Sequence, residues 1–299
     1  MSTRDEDFHG IYPYLVSPMD ERGRVDELAL RRLVRHLLDE GVHGLSPLGS
    51  TGEVMYLTPG QQETIVRTTI EEAAGRVPVV AGVAAYASAA AATQAAAMTS
   101  WGVDGVIGIQ LVYGPPPLDG VVDYFHALAT ATDLPVVLYT NPRLGADIPL
   151  TALERIVADD NVRYLKDASG VTGKLLSIQS VLGERLKFFA ASAHLPTAVL
   201  DLGGVGWMAG PACVVPAAAT ALWDAHLRGD LARRARLQAE IWPLNALFTR
   251  HGLAPLIKLA LDEIGYPCGD PVRPQLPAPD EVRPELRKVL AGIAEAVAS

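Results

Sequence analysis

Lys166 ends a short apolar run, residues 162–166, and is followed by Asp167-Ala168-Ser169-Gly170. It is one of five lysines among 25 cationic side chains, the rest being arginines, so lysine is not the default surface cation of this chain. A strand that finishes on a lysine places an amine at the mouth of a hydrophobic sheet or barrel. Desolvation there disfavours the ammonium and lowers its pKa, and a neutral amine attacks ketones to form a Schiff base. A strand-end lysine also serves simply to pair a carboxylate. Its meaning therefore depends on what stands beside it.

Three other groups fall at the ends of apolar runs: Gly49-Ser50-Thr51-Gly52-Glu53, Tyr113-Gly114-Pro115-Pro116-Pro117, and Leu138-Tyr139-Thr140-Asn141-Pro142. Taken singly, each has a plain reading: a tight turn, a rigid loop, and an aromatic core filler. Taken together, in this order and at these strand ends, they form a specific signal.

The elements that must position them alternate regularly. Strands are predicted at 11–16, 44–48, 77–83, 105–110, 135–139, 162–166, 186–190 and 204–208. Helices are predicted near 26–40, 58–74, 87–100, 119–131, 150–158, 171–182, 193–201 and 214–227. Eight β-then-α units in one series imply a parallel sheet covered by helices. Eight is also the number that closes a (β/α)8 TIM barrel, whose βα loops carry the chemistry; an open doubly wound sheet is the competing arrangement. Thr58-Pro59 with Gln61 reads as a helix start, and Asp119-Gly120 as another. Beyond residue 228 the strands stop, and helical stretches near 230–249, 253–264 and 280–297 flank a proline-rich linker at 267–279. The expected organisation is a catalytic barrel over 1–227 and a C-terminal helical extension, 228–299, packed on it.

Composition narrows the class. The chain has 299 residues, 49% of them apolar, enough for a substantial core. Its net charge of −9 argues against general affinity for nucleic acid or an anionic membrane. Cys213 and Cys268 belong to no C-x-x-C pair, which suits a reducing compartment. No secretory signal is visible before His9, and no apolar stretch reaches the ~18 residues of a membrane helix. The expectation is a cytoplasmic protein. The histidines form neither an H-x-H nor an H-E-x-x-H spacing, and no metal or cofactor is expected.

The four groups resemble the dihydrodipicolinate synthase/N-acetylneuraminate lyase family of class I aldolases, over nearly the whole chain. Gly49-Ser50-Thr51-Gly52-Glu53 is similar to that family's G-[ST]-T-G-E loop, which holds the carboxylate of a 2-oxo acid. The resemblance makes Lys166 the Schiff-base lysine and Tyr139 the strand-end tyrosine of the proton relay. Tyr113 matches the tyrosine that the family supplies across a dimer interface. It implies catalytic roles for Lys166, Tyr139, Tyr113 and Thr51, and substrate contacts from Gly49, Ser50, Thr51 and Met208. It further implies a homotetramer built from two such dimers. In the implied relay, the Tyr139 phenol is hydrogen-bonded to Thr51 and Tyr113.

The sequence also departs from the pattern. Ala190-Ala191-Ser192-Ala193-His194 replaces a glycine and acidic residues that help relatives bind an aldehyde or a polyol. Ser192 is a candidate substrate contact; His194 either faces the substrate or caps its own loop. Trp207 and Met208 are bulky for a strand that would flank a large sugar acid. Tyr164, two residues before Lys166, either narrows the floor beneath the amine or packs the barrel. Arg143 either meets a second substrate's carboxylate or is solvated. Val112 stands where relatives use a tyrosine to bind lysine, so lysine feedback is not expected. The expected function is a lyase that forms a Schiff base with pyruvate or a related 2-oxo acid and catalyses aldol cleavage or condensation. The alternatives are a keto-deoxy sugar-acid dehydratase on the same scaffold and a non-catalytic 2-oxo-acid binder.

Overall fold

The computed structural model describes residues 8–142, 144–191 and 196–299. Seven strands, β1 (Gly10–Pro13), β2 (Val80–Ala85), β3 (Gly105–Gln110), β4 (Val136–Thr140), β5 (Val162–Asp167), β6 (Lys187–Ala190) and β7 (Gly206–Ala209), form one parallel sheet in the order β1-β7-β6-β5-β4-β3-β2. The strand expected at 44–48 is not a continuous ladder. Two isolated parallel bridges, Tyr14↔Ser46 and Leu45↔Val79, join it to the residue after β1 on one side and to the residue before β2 on the other. Pro47 has no amide hydrogen to donate, and Leu48 turns into left-handed backbone at φ 60°. The segment is nonetheless the eighth stave, and it closes the (β/α)8 barrel.

Helices follow the staves: α1 (Glu27–Asp39), α2 (Pro59–Ala73), α3 (Ser88–Trp101), α4 (Leu118–Thr130), α5 (Leu150–Ile156), α6 (Thr172–Leu182), α7 (Pro196–Asp201), α8 (Pro211–Val214) and α9 (Pro216–Leu227). The single turn α8 was not anticipated; Pro211 and Pro216 each open a separate helix. The α2 start is the capping box expected of Thr58 and Gln61, a device worth ~1 kcal/mol. The α4 start differs, because Pro117 is the N-cap and Asp119 lies within the first turn, where its charge suits the helix dipole. Three further helices, α10 (Leu231–His251), α11 (Leu253–Glu263) and α12 (Arg283–Ala298), complete the chain. α10 packs on α9 and α7, and α11 on α8.

The two-residue period of a strand sorts side chains into two cores. Tyr12, Val80, Ile107, Val137, Tyr164 and Met208 fill the barrel interior, whereas Ile11, Ala81, Val106, Leu138, Leu165 and Trp207 face the helices. Trp207 therefore does not enter the barrel. Phe8 is part of the interior: its ring stacks on Tyr164 at 5.3 Å and its amide donates to the Tyr164 hydroxyl at 2.9 Å. Tyr164 thus has the packing role of its two readings.

No helix among the described residues is long and apolar enough to cross a membrane. Cys213 and Cys268 are both buried and free.

Closure depends on one very close approach. A Cβ at Gly82 would lie 1.9 Å from the Leu48 carbonyl oxygen, a contact no side chain tolerates, and the Gly82 amide donates to the Pro47 carbonyl at 3.0 Å. Gly82→Ala is expected to lower stability by about 3 kcal/mol, the upper part of the overpacking range, in urea unfolding. A loss within the error of that measurement would show that the eighth stave has room to shift.

Candidate active site

Lys166 points inward from β5 and is 2% exposed. Its Nζ lies 3.6 Å from the ring centroid of Tyr14 and 3.9 Å from that of Tyr139. Strand pairing explains the second contact, since Tyr139 of β4 is the register partner of Lys166. Burial holds the amine well below the ordinary lysine range, and no charged group of the described residues offsets that desolvation. Ring faces attract a cation weakly but do not replace a carboxylate. The site therefore favours the free amine, the nucleophilic form.

Tyr139 is almost fully buried, and burial pushes its phenol upward. Two hydrogen bonds oppose that shift, one from Asn141 Nδ2 at 2.8 Å and one with the Ser50 side chain. Within this chain the phenol's partners are Asn141 and Ser50; the Tyr113 contact that the resemblance implies would come from a neighbouring chain. Thr51 is fully buried, and its Oγ1 has no hydrogen-bond partner among the described residues. A buried hydroxyl of this kind retains an unspent donor.

The turn carrying Ser50 and Thr51 is braced at both ends. Leu48 and Glu53 both hold left-handed backbone, at φ 60° and 57°, which side-chain-bearing residues adopt only when their surroundings over-determine it. The Ser17 hydroxyl donates to the Gly52 carbonyl at 2.6 Å, and the Glu53 amide to the Ser50 carbonyl at 3.3 Å. Gly49 has no room for a side chain, since a Cβ would lie 2.4 Å from the Tyr14 ring. The ring that touches the amine therefore also lies against the turn. A cavity of ≈ 20 Å³ opens between Tyr14, Leu48, Gly49, Ser50, Ile109 and Tyr139.

The structure brings Lys166, Tyr139, Ser50, Gly49 and Thr51 into one region at the C-terminal mouth of the barrel. Met208 is fully buried within the barrel interior, in register with Tyr12, and does not line that cavity. Tyr113 is fully exposed, away from Lys166 of its own chain. Arg143, Ser192 and His194 lie outside the described residues. Among the described residues no group of three or more histidines, cysteines or carboxylates is placed to hold a metal.

Three contributors were missed at the sequence level. Tyr14 carried a signal, because it lies two residues beyond Tyr12 in the first apolar run and so shares its inward face. Asn141 lay within a quoted motif without a role. Lys258 carried no local signal at all; it sits on α11 and forms an ion pair with Glu53.

The buried amine makes stability depend on pH in a definite direction. An unfolded lysine titrates near 10.5, and the folded one well below it, so the unfolded state binds more protons between those values and stability rises with pH there. Lys166→Met removes this penalty. The variant is expected to gain stability that is nil above about pH 10.5 and grows as pH falls to neutrality, measured by thermal unfolding across that range. A gain independent of pH would show that the amine is not desolvated.

Known proteins place this geometry in context. The dihydrodipicolinate synthetase family matches the sequence across residues 7–293. The chain is similar to the 4-hydroxy-tetrahydrodipicolinate synthase of Acidiphilium cryptum (strain JF-5), with 31% identity over 288 residues, 96% of this chain and 98% of that one. Among solved structures, dihydrodipicolinate synthase from Agrobacterium tumefaciens str. C58 superposes with a TM-score of 0.90 at 28% identity, covering 97% of this chain and 99% of that chain. The 4-hydroxy-tetrahydrodipicolinate synthase of Methylacidiphilum fumariolicum SolV gives 0.93 at 26% identity, with 98% of each chain covered. With a family match that leaves out only the chain's two ends and a barrel shared with these enzymes, the chain belongs to the dihydrodipicolinate synthetase family.

Proposed function

We propose that this protein, a lyase of its family, works through a Schiff base between Lys166 and pyruvate or a related 2-oxo acid. The observation that carries the reading is a buried amine with no charge partner among the described residues, in contact with Tyr139 and close to a turn that offers the Ser50 and Thr51 hydroxyls. The substrate carboxylate takes its hydrogen bonds from that turn, and its ketone is then presented to Lys166. Nζ adds to the carbonyl carbon, and the carbonyl oxygen leaves as water after protonation. The resulting iminium withdraws electrons, so a proton leaves the adjacent carbon and an enamine forms. The enamine adds to an aldehyde carbonyl with formation of a carbon–carbon bond, or the same steps run in reverse as cleavage. Tyr139 carries the protons through the carbinolamine stage, and the iminium itself is the electron sink.

Two features support an assembly in which chains share the site. Tyr113 is fully exposed on a proline-stiffened loop, although the phenol it would help to relay protons is buried. Tyr139 draws its hydrogen bonds from Asn141 and Ser50, leaving Tyr113 of its own chain outside the network. In this reading the catalytic unit is a dimer whose tyrosine is contributed by the neighbouring copy, within a tetramer of two dimers. Two buried free thiols suit a cytoplasmic setting.

Borohydride added with pyruvate is expected to leave one stable adduct per chain, located by mass spectrometry on the Lys166 peptide and absent from Lys166→Ala. An adduct on Lys174, Lys187, Lys258 or Lys288 instead would overturn the mechanism. A panel of aldehydes and keto-deoxy acids then separates aldol chemistry from dehydration.

Site sharing has its own test. Lys166→Ala and Tyr113→Phe chains, each impaired alone, are mixed under conditions that allow exchange of subunits. Recovered activity is expected, because a mixed dimer contains one site with an intact lysine and an intact tyrosine from its neighbour. No recovery from chains shown to have mixed would mean that each tyrosine serves its own chain.

A further inference from the structure

The glutamate that ends the Gly49-Ser50-Thr51-Gly52-Glu53 turn reaches away from the amine, into the C-terminal part of the chain. Glu53 is 1% exposed. Its Oε1 accepts from the Val272 amide and from Gln275 Nε2, both at 2.7 Å, and its Oε2 lies 2.8 Å from Lys258 Nζ. Lys258, 3% exposed on α11, also donates to the Asp270 carbonyl at 2.8 Å. The proline-rich strap at 267–279 and helix α11 are thus fastened to the turn by one buried carboxylate and one buried ammonium.

The adjacent residue of α11 reaches the same place. A Cβ at Gly210 would lie 2.6 Å from Ile257 Cδ1 and 2.7 Å from Thr51 Oγ1, so Ile257 and the Thr51 hydroxyl flank one glycine. Lys258 and Ile257 back the turn from the side opposite the barrel interior. Glu53 itself is held in left-handed backbone, a conformation that reverts unless its neighbours enforce it. A buried carboxylate that loses its cation is strongly destabilised, and its easiest relief is to swing toward water. That movement would carry Gly52 and Thr51 with it.

We propose that Lys258 is a positioning residue that acts through Glu53 to hold the Ser50–Thr51 turn in its carboxylate-binding shape. The C-terminal helices then set affinity for the 2-oxo acid without touching it. The inference rests on the preceding reading of that turn as the carboxylate site, and it adds a residue that sequence spacing did not reveal.

The test compares Lys258→Met, the uncharged pair Lys258→Met/Glu53→Gln, and the exposed-residue control Lys288→Met with the parent chain. Borohydride trapping of pyruvate at increasing concentration yields a half-saturating concentration and a limiting rate without any second substrate. Lys258→Met is expected to raise the half-saturating concentration at least about tenfold, the scale of one lost hydrogen bond to a charged group. Its limiting rate should stay close to the parent's. The uncharged pair is expected to recover much of the affinity, since a neutral amide in place of the Glu53 carboxylate needs no cation, and Lys288→Met to match the parent. Hydrogen exchange without ligand is expected to quicken selectively over residues 48–57 in Lys258→Met.

An unchanged half-saturating concentration would overturn the proposal. So would a joint loss of affinity and rate with exchange quickened across the whole barrel, which marks a merely structural residue. A parent chain that forms no adduct would overturn the 2-oxo-acid reading instead. Exchange would still decide whether Lys258 holds the turn: selective quickening supports it, and its absence refutes it.

Discussion

A primary amine kept out of water without a counter-charge among the described residues is the constraint around which this barrel is arranged. Burial alone would make such a group a liability, because an isolated ammonium is costly to desolvate. The fold meets the difficulty by favouring the uncharged form. The nearly perpendicular rings of Tyr14 and Tyr139 both lie against Lys166 Nζ, and neither supplies the carboxylate that would restore the proton. Stability lost at this position is reactivity gained, since the same desolvation that destabilises the ammonium leaves a lone pair ready to attack a carbonyl.

The turn facing the amine follows a complementary logic. Its backbone is kept from relaxing into an ordinary loop. Two left-handed residues at its ends, a glycine pressed against the Tyr14 ring, and a hydroxyl bond from Ser17 hold it from the barrel side. Glu53, Lys258, Val272 and Gln275 hold it from the other. Strain of this kind persists where surrounding contacts over-determine the conformation, and here those contacts come from chain segments more than 200 residues apart. The C-terminal helices are therefore structurally continuous with the site, although they supply none of the inward-facing groups around Lys166.

Family membership constrains the chemistry more than it constrains the substrate. Named relatives are 4-hydroxy-tetrahydrodipicolinate synthases, and in the proposed mechanism the amine, phenol and turn are parts common to any reaction through a 2-oxo-acid Schiff base. In that mechanism, discrimination between acceptors would lie with other groups. The run Ala190-Ala191-Ser192 carries no carboxylate, so an aldehyde or polyol would have to find its hydrogen bonds elsewhere.

Periodicity and punctuation in the sequence determined the barrel: seven of eight predicted strands, and all of the predicted helices, appear within a few residues of their expected ends. Such signals are local, because alternation, caps and glycine turns act between near neighbours. The same locality put Lys166 and Tyr139 on inward faces and marked Gly49–Glu53 as a tight turn. Tertiary structure decided the rest. Pro47 and the left-handed Leu48 reduced the second strand to two bridges, which alternation alone did not reveal. Trp207 went outward and Met208 inward because register with β1 and β6 set their faces. Within the chain the phenol's partners are Asn141 and Ser50, a choice spacing did not specify, since a hydrogen bond requires a particular angle and distance. Lys258 had no motif to announce it. Its partner lies 205 residues earlier in the sequence, and only the packing of α11 behind the turn brings the two charges to 2.8 Å.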